Sequence, residues 1–195
     1  MALFRFTADT TPRTVIRGDG VMMRQPLAED FEEWAALRSS SRAFLEPWEP
    51  LWSEDDLTRR AFRQRVKRAS AEGDADEAYA FLIFRTQDQA MVGGLTLGLV
   101  RRGVAQACTM GYWVGEPYAG QGYMTRAVKA VARHAFEDLH LRRIEAACLP
   151  TNQRSRTLLE RVGFQREGFA RQYLCIAGRW EDHLLYALLA SDPRR

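Results

Sequence analysis

The sequence predicts an α+β domain with helices packed on a largely antiparallel sheet, and three features of the chain predict it. Strand-like and helix-like runs follow one another in the order ββ-α-α-βββ-α-β-α-ββ, the pattern of an α+β chain. The central strand candidates "AYAFLIFR", "AMVGGLTLGLV" and "AQACTMGYWVG" are separated only by polar or glycine-containing turns, the spacing of an antiparallel meander. A long run after them carries Met124, Ala127, Val128, Val131, Ala132, Ala135 and Phe136 on one face and Arg126, Lys129 and Arg133 on the other, so it is a helix lying on a sheet.

The elements follow in order. "RTVIRGDGVMMRQP" reads as a short hairpin or broken strand turning at Gly18-Asp19-Gly20. "LAEDFEEWAALRSSS" has helical spacing through Leu27, Phe31, Trp34 and Leu37. In "RAFLEPWEPLW", Pro47 and Pro50 prevent a regular helix while Phe44, Leu45, Trp48 and Trp52 keep the segment apolar. Such a loop either folds back on the core or walls a substrate cleft. "SEDDLTRRAFRQRVKRASAEG" starts with Ser53 as a cap and an acidic first turn and then becomes basic, the polarity that a helix dipole favours. After the amphipathic helix, "RRIEAACLP" is a strand, and "TNQRSRTLLERVG" is a short helix capped by Asn152 and stopped by Gly163. "FQREGFARQYLCIAGRWEDHLLYALL" makes two strands around Ala177-Gly178.

At 195 residues, with neither repeats nor a linker, the chain is expected to form a single domain over residues 1–195. Its 46% hydrophobic and 27% charged content is that of a soluble globular protein, which sets disorder aside. The net charge is only +3, and the basic side is almost all arginine, with Lys67 and Lys129 as its lysines. The basic run "RRAFRQRVKR" reads as a solvated helix face, since so small a net charge argues against stable nucleic-acid binding. No apolar run is long enough for a membrane span, and "MALFRFTADTTPR" lacks a signal-peptide core, which implies a cytosolic protein. Cys108, Cys148 and Cys175 make no CxxC arrangement and read as small buried residues. His134, His140 and His183 lack metal-ligand spacing and read as surface or hydrogen-bonded histidines.

The stretch "WVGEPYAGQGYMTRAV" joins a strand to a helix through Gly120 and Gly122. Glycines here either make a tight turn or let an anion approach the free N–H groups of the helix start. A dinucleotide fingerprint needs a third glycine where Thr125 stands, and a P-loop needs Gly-Lys-Ser/Thr, so neither applies.

With these elements in place the chain resembles the GNAT superfamily of N-acetyltransferases, and within it the RimJ/RimL-type ribosomal-protein-alanine N-acetyltransferases. The resemblance runs from about Val21 to Leu189 and rests on "FLEPWEP", "MGYWVGEPYAGQGYMTRAV", "RRIEAACLPTNQRSRTLLERVGFQREG" and "YLCIAGRWEDHLLYALL" in that order. The last stretch, with Gly178, Trp180, Asp182 and His183, looks closer to the RimJ type. The resemblance implies the GNAT fold with about four helices, and acetyl-CoA as co-substrate. It implies that backbone N–H groups from Ala119, Gly120, Gln121, Gly122, Tyr123, Met124 and Thr125 hold the pyrophosphate. Gly120 and Gly122 match the family's Q/R-x-x-G-x-G/A pattern, whose first position is Pro117 here, which removes one side-chain contact and keeps the backbone cradle. Tyr112, Trp113 and Val114 are implied to pair with the pantetheine arm and to polarise the thioester carbonyl with a main-chain N–H.

The implied chemistry is direct attack of an amine on a thioester. A protein α-amine has a pKa near about 8 against roughly 10.4 for lysine, so an N-terminal acceptor demands less of its base. A carboxylate or an ordered water suffices, without a histidine dyad. The tyrosine that protonates the leaving thiolate in many members falls at Leu159 here, and the serine of the RimL type maps to Ser155, with Asn152 contacting pantetheine or substrate. Simple helix capping is the structural alternative for this pair. The RimL glutamate falls at Leu174, so Glu49 in "PWEP" replaces it as candidate base, with Glu116 and Asp182 behind it. The implied acceptor is the N-terminal alanine of a small-subunit ribosomal protein. A small-molecule amine such as an antibiotic or polyamine is the alternative, and a non-catalytic acyl-CoA-binding module a further one.

Overall fold

The computed structural model describes residues 14–193. The Met1–Arg13 stretch, read above for a signal peptide, lies outside the described residues, as do residues 194–195. The strands β1 (Val15–Gly18), β2 (Val21–Arg24), β3 (Tyr79–Arg85), β4 (Met91–Arg101), β5 (Ala107–Val114), β6 (Arg143–Cys148), β7 (Gln165–Ile176) and β8 (Arg179–Leu189) make one sheet in the order β1-β2-β3-β4-β5-β6-β8-β7. Its pairings are antiparallel except for the parallel contact between β5 and β6. Short turns join β1 to β2, β3 to β4, β4 to β5 and β7 to β8, whereas three helices lie between β2 and β3. The parallel pair needs a crossover, which the amphipathic helix supplies.

The helices are α1 (Phe31–Ser40), α2 (Arg42–Leu45), α3 (Arg59–Asp74), α4 (Tyr123–Glu137) and α5 (Gln153–Val162). α2 is a single turn beyond the four expected; Pro47 then sits at the start of a 3-10 turn, Glu46–Trp48, where its missing N–H costs nothing. α3 begins later than Ser53. Ser53 N–H instead donates to Asp56 Oδ2 at 2.9 Å in a preceding turn, and Thr58 caps the helix by accepting from Ala61 N–H at 3.2 Å.

The centre of the sheet is buried on both faces. All seven apolar residues assigned to the inner face of α4 are buried. They pack with Leu159 and Val162 of α5 on Phe81, Ile83, Leu95, Cys108, Ile144 and Leu184. On the opposite face Trp34 and Leu37 of α1 and Phe62 of α3 cover Leu82, Phe84 and Met91. β3 alternates between the two clusters, as a strand period of two requires. Cys108 and Cys148 are buried as expected, but Cys175 is exposed, because β7 is an edge strand that no element covers on that stretch.

Candidate active site

The centre of the sheet is split. β5 pairs with β6 only where Ala107–Thr109 oppose Arg143–Glu145. Beyond that, β5 continues along β4 to Val114 opposite Gly93, and β6 along β8 to Cys148 opposite Leu184. The two strands therefore diverge and leave one edge of β5 without a partner strand. Gly115 N–H donates to Val92 O at 2.9 Å, and the bonding side alternates along an antiparallel strand, so Met110, Tyr112 and Val114 turn their peptide groups into the gap. A cleft of about 610 Å³ occupies this opening.

The turn after β5 ends at the head of α4. Gly120 (φ +75°) and Gly122 (φ +79°) are both left-handed, a conformation that a Cβ makes costly. The first backbone bond into the helix is Arg126 N–H to Gly122 O at 3.1 Å, so the N–H groups of Tyr123, Met124 and Thr125 precede any helical acceptor. Ala119 N–H is bound to Glu116 O, and Gln121 Nε2 donates to Pro117 O at 2.7 Å, which braces the turn. A cation lies beside the turn. Arg126 stacks over Tyr123 at 4.8 Å, and its Nε is buried with no hydrogen-bond partner among the described residues. Free helix N–H groups, two left-handed glycines and a guanidinium suit a pyrophosphate.

On the α4/α5 face of the gap, Ser155 meets β5. Asn152 Oδ1 accepts from Ser155 N–H at 3.0 Å, so the capping reading of Asn152 is correct as far as it goes. Ser155 is nevertheless half-buried, and its hydroxyl lies 2.7 Å from the Tyr112 phenol oxygen. Burial pushes the Tyr112 phenol well above its ordinary range, against a smaller opposing effect of the Ser155 hydroxyl, so it stays protonated. Burial likewise raises the Cys148 thiol, which also lines the cleft. Leu159, where many GNAT members carry tyrosine, is fully buried in the core and has no access to the gap.

On the α1/α3 face lies the aromatic loop. Glu49 receives Arg38 through two bonds, Nη1 to Oε1 at 2.8 Å and Nη2 to Oε2 at 2.7 Å, and Oε2 also accepts from Trp52 Nε1 at 2.8 Å. Arg38 is sandwiched between Trp52 (4.1 Å) and Trp113 (4.9 Å). Trp113 can lie along the sheet because Gly94 has no side chain; a Cβ there would come within 2.5 Å of the indole nitrogen. Above this cluster the loop touches the β7–β8 turn, with Ala177 N–H donating to Glu49 O at 2.9 Å. Ser41, fully buried, accepts from Glu116 N–H at 2.9 Å and so ties the loop's root to the glycine turn.

The residues singled out from the sequence line one opening, except Gln121, Glu116 and Asp182. Of the two secondary carboxylates, Asp182 accepts from Gln172 N–H at 2.8 Å and steadies the β7 irregularity, while Glu116 is exposed at the turn. Sequence reasoning passed over the Tyr112 hydroxyl, Arg38 and the placement of His183. Tyr112 and Ser155 are 43 positions apart, and only the fold joins them.

No helix among the described residues is long and apolar enough to cross a membrane. Residues 21–165 match the Acetyltransferase (GNAT) domain family. The chain is similar to the ribosomal protein uS5-alanine N-acetyltransferase of Escherichia coli, 34% identical over 94% of this chain and 91% of that one. Among solved structures it is similar to Mycobacterium smegmatis RimJ in complex with CoA-disulfide, at TM-score 0.84 and 33% identity over 91% and 86% of the two chains. It is also similar to the ribosomal-protein-S5-alanine acetyltransferase of Vibrio fischeri, at TM-score 0.85 and 28% identity over 93% and 100%. The split sheet, the glycine turn and these likenesses agree: the chain belongs to the GNAT family and is an acetyl-CoA-dependent N-acetyltransferase.

Proposed function

We propose that this enzyme acetylates the N-terminal α-amine of a ribosomal protein, with alanine at its first position, in the cytoplasm and as a single domain. The observation that carries this reading is the bridge between Ala177 N–H and Glu49 O. It joins the two walls of the cleft, so an acceptor enters end-on, as a chain terminus does. The names of the relatives agree with an N-terminal alanine.

Acetyl-CoA supplies the acetyl thioester. The N–H groups from Gly120 to Thr125, with Arg126, would hold its pyrophosphate, and the free edge at Tyr112 and Val114 would hydrogen-bond its pantetheine arm beside Trp113 and Asn152. Because the peptide dipoles of β5 are fixed before anything binds, they stabilise negative charge on a carbonyl oxygen without reorganising. Ser155 would hydrogen-bond the departing sulfur. Glu49 Oε2 has both lone-pair positions filled by Arg38 and Trp52, while Oε1 has one left, enough to hold one N–H of an incoming ammonium.

The test is thiol release from acetyl-CoA with peptides bearing free Ala, Ser or Met N-termini, their blocked counterparts, and small amines including aminoglycosides. Turnover of the Ala peptide, abolished by blocking and lowered by Ser155→Ala, is expected. Turnover confined to small amines would overturn the N-terminal reading, and tight binding without turnover of anything would point to a binding module.

A further inference from the structure

We infer that His183 is the proton acceptor for the attacking amine, a role that rests on the reading of this cleft as the acetyl-transfer site. His183 is 2% exposed on β8 and lines the cleft. Its Nδ1 lies 2.9 Å from the Glu181 carbonyl oxygen. A carbonyl only accepts, so Nδ1 carries the proton and Nε2 of the neutral ring carries a lone pair. Among the described residues nothing hydrogen-bonds that lone pair. With Nδ1 held against the strand two residues back, Nε2 is the atom turned outward.

Its place in the sheet fits the role. Leu184 is the last residue of β8 paired with β6, opposite Cys148, so His183 stands where the strands open. Leu184, Tyr186 and Leu188 point into the core under α4 and α5. Alternation therefore puts His183 on the opposite face, beneath the aromatic loop. Ser155 lies on the α4/α5 face. Proton acceptor and proton donor are thus on opposite sides of the gap, as a reaction needs when one nitrogen loses a proton and one sulfur gains it.

The balance is simple. Before attack, His183 Nε2 takes one proton from the ammonium and later gives it to solvent, and as the C–N bond then forms and the C–S bond breaks the nitrogen sheds a second proton. The sulfur receives a proton through the Ser155 hydroxyl, which solvent restores, so one proton passes from nitrogen to sulfur overall. Glu49, Cys148, Arg154 and Arg161 are ionisable groups that line the same cleft. The Tyr173 ring of β7 packs edge-on at 5.8 Å, Glu49 of the loop is engaged by Arg38 and Trp52, and Leu174 and Ile176 complete this end of the cleft.

Two measurements test it. In the wild-type protein, nitrogen-15 NMR should show the neutral imidazole carrying its proton on Nδ1, with an Nε2 resonance that is shifted by an Ala-terminated peptide but not by coenzyme A. A protonated Nε2 with a bare Nδ1, or a ring indifferent to the peptide, would overturn the inference. In His183→Asn, which keeps an N–H for the Glu181 carbonyl, kcat at pH 7 should fall about 100-fold with the KM for acetyl-CoA unchanged. That loss should shrink as pH rises past the acceptor's own pKa, about 8, because the amine then arrives neutral. A loss that is constant with pH, or one confined to KM, would refute a proton-accepting role. If the wild type used only small amines, the N-terminal reading would fail, yet the His183→Asn defect should appear with those amines.

Discussion

Gly122→Ala tests whether the left-handed turn sets the coenzyme cradle. Gly122 has φ +79°, and a Cβ built there meets nothing closer than Arg126 Nη1 at 3.6 Å, so crowding contributes nothing. The conformational cost for alanine is about 1–2 kcal/mol. At this chain length about 1 kcal/mol corresponds to roughly 2–4 °C, so Tm should fall by about 2–8 °C. If the turn relaxes instead, the N–H groups of Tyr123 and Met124 rotate away, and losing one charge-assisted hydrogen bond of about 1.5–3 kcal/mol weakens coenzyme A binding about 10- to 100-fold. Calorimetric titration with coenzyme A and a thermal melt read the two effects. Gly122→Asn should recover part of both, since asparagine tolerates the left-handed region. Unchanged Tm and unchanged affinity in Gly122→Ala would refute the account.

Arg38→Ala should lower the denaturant-derived stability by about 2–4 kcal/mol, because it strands the Glu49 carboxylate and opens the tryptophan sandwich, and it should raise the acceptor's KM more than that of acetyl-CoA. Arg38→Lys should recover little, as an ammonium cannot make the paired contact. Leu159→Ala, at a fully buried site, should cost about 2–5 kcal/mol in a urea titration. A thiol reagent at neutral pH should label exposed Cys175 and spare Cys108, whose burial pushes the thiol up to about 12; peptide mapping checks this. Hydrogen bonds from Arg102 hold the Asp76 carboxyl below its ordinary 3.8. The stabilisation is therefore present above that value and lost as pH falls below it. Arg102→Ala should remove about 0.2–1 kcal/mol at pH 6 and less as pH falls below 3.8, by urea midpoints, the bond from Arg102 to the Leu139 carbonyl remaining at low pH.

The order of elements and the face of α4 could be read from periodicity, because burial on one side of a sheet writes itself into the spacing of Met124, Ala127, Val128 and Val131. Asn152 and Gly163 were legible as helix punctuation, for side-chain capping and a left-handed stop are local effects. The start of α3 was not, since Ser53 and Thr58 both precede acidic or polar turns, and tertiary contacts such as Arg65 to Asp56 choose between them. At the site, the glycine turn was visible because its chemistry is contiguous. The Glu49 carboxylate was visible, but its engagement by Arg38 was not, and neither was the meeting of the Tyr112 and Ser155 hydroxyls. Those contacts depend on how α1 and α5 dock on the sheet, and the second joins residues 43 positions apart. His183 had only its residue type to mark it, and the open lone pair on Nε2 follows from a carbonyl two residues away.

The divergence of β5 from β6 also has a thermodynamic side. A sheet interrupted at its middle gives up ladder bonds that a continuous one would make. A ligand that runs along the β5 edge repairs the sheet as it binds, so its concentration enters the folding equilibrium. At 100 times its dissociation constant such a ligand adds about 2.7 kcal/mol to stability. The lifetime of this protein against unfolding and proteolysis should therefore lengthen as the concentration of that ligand rises.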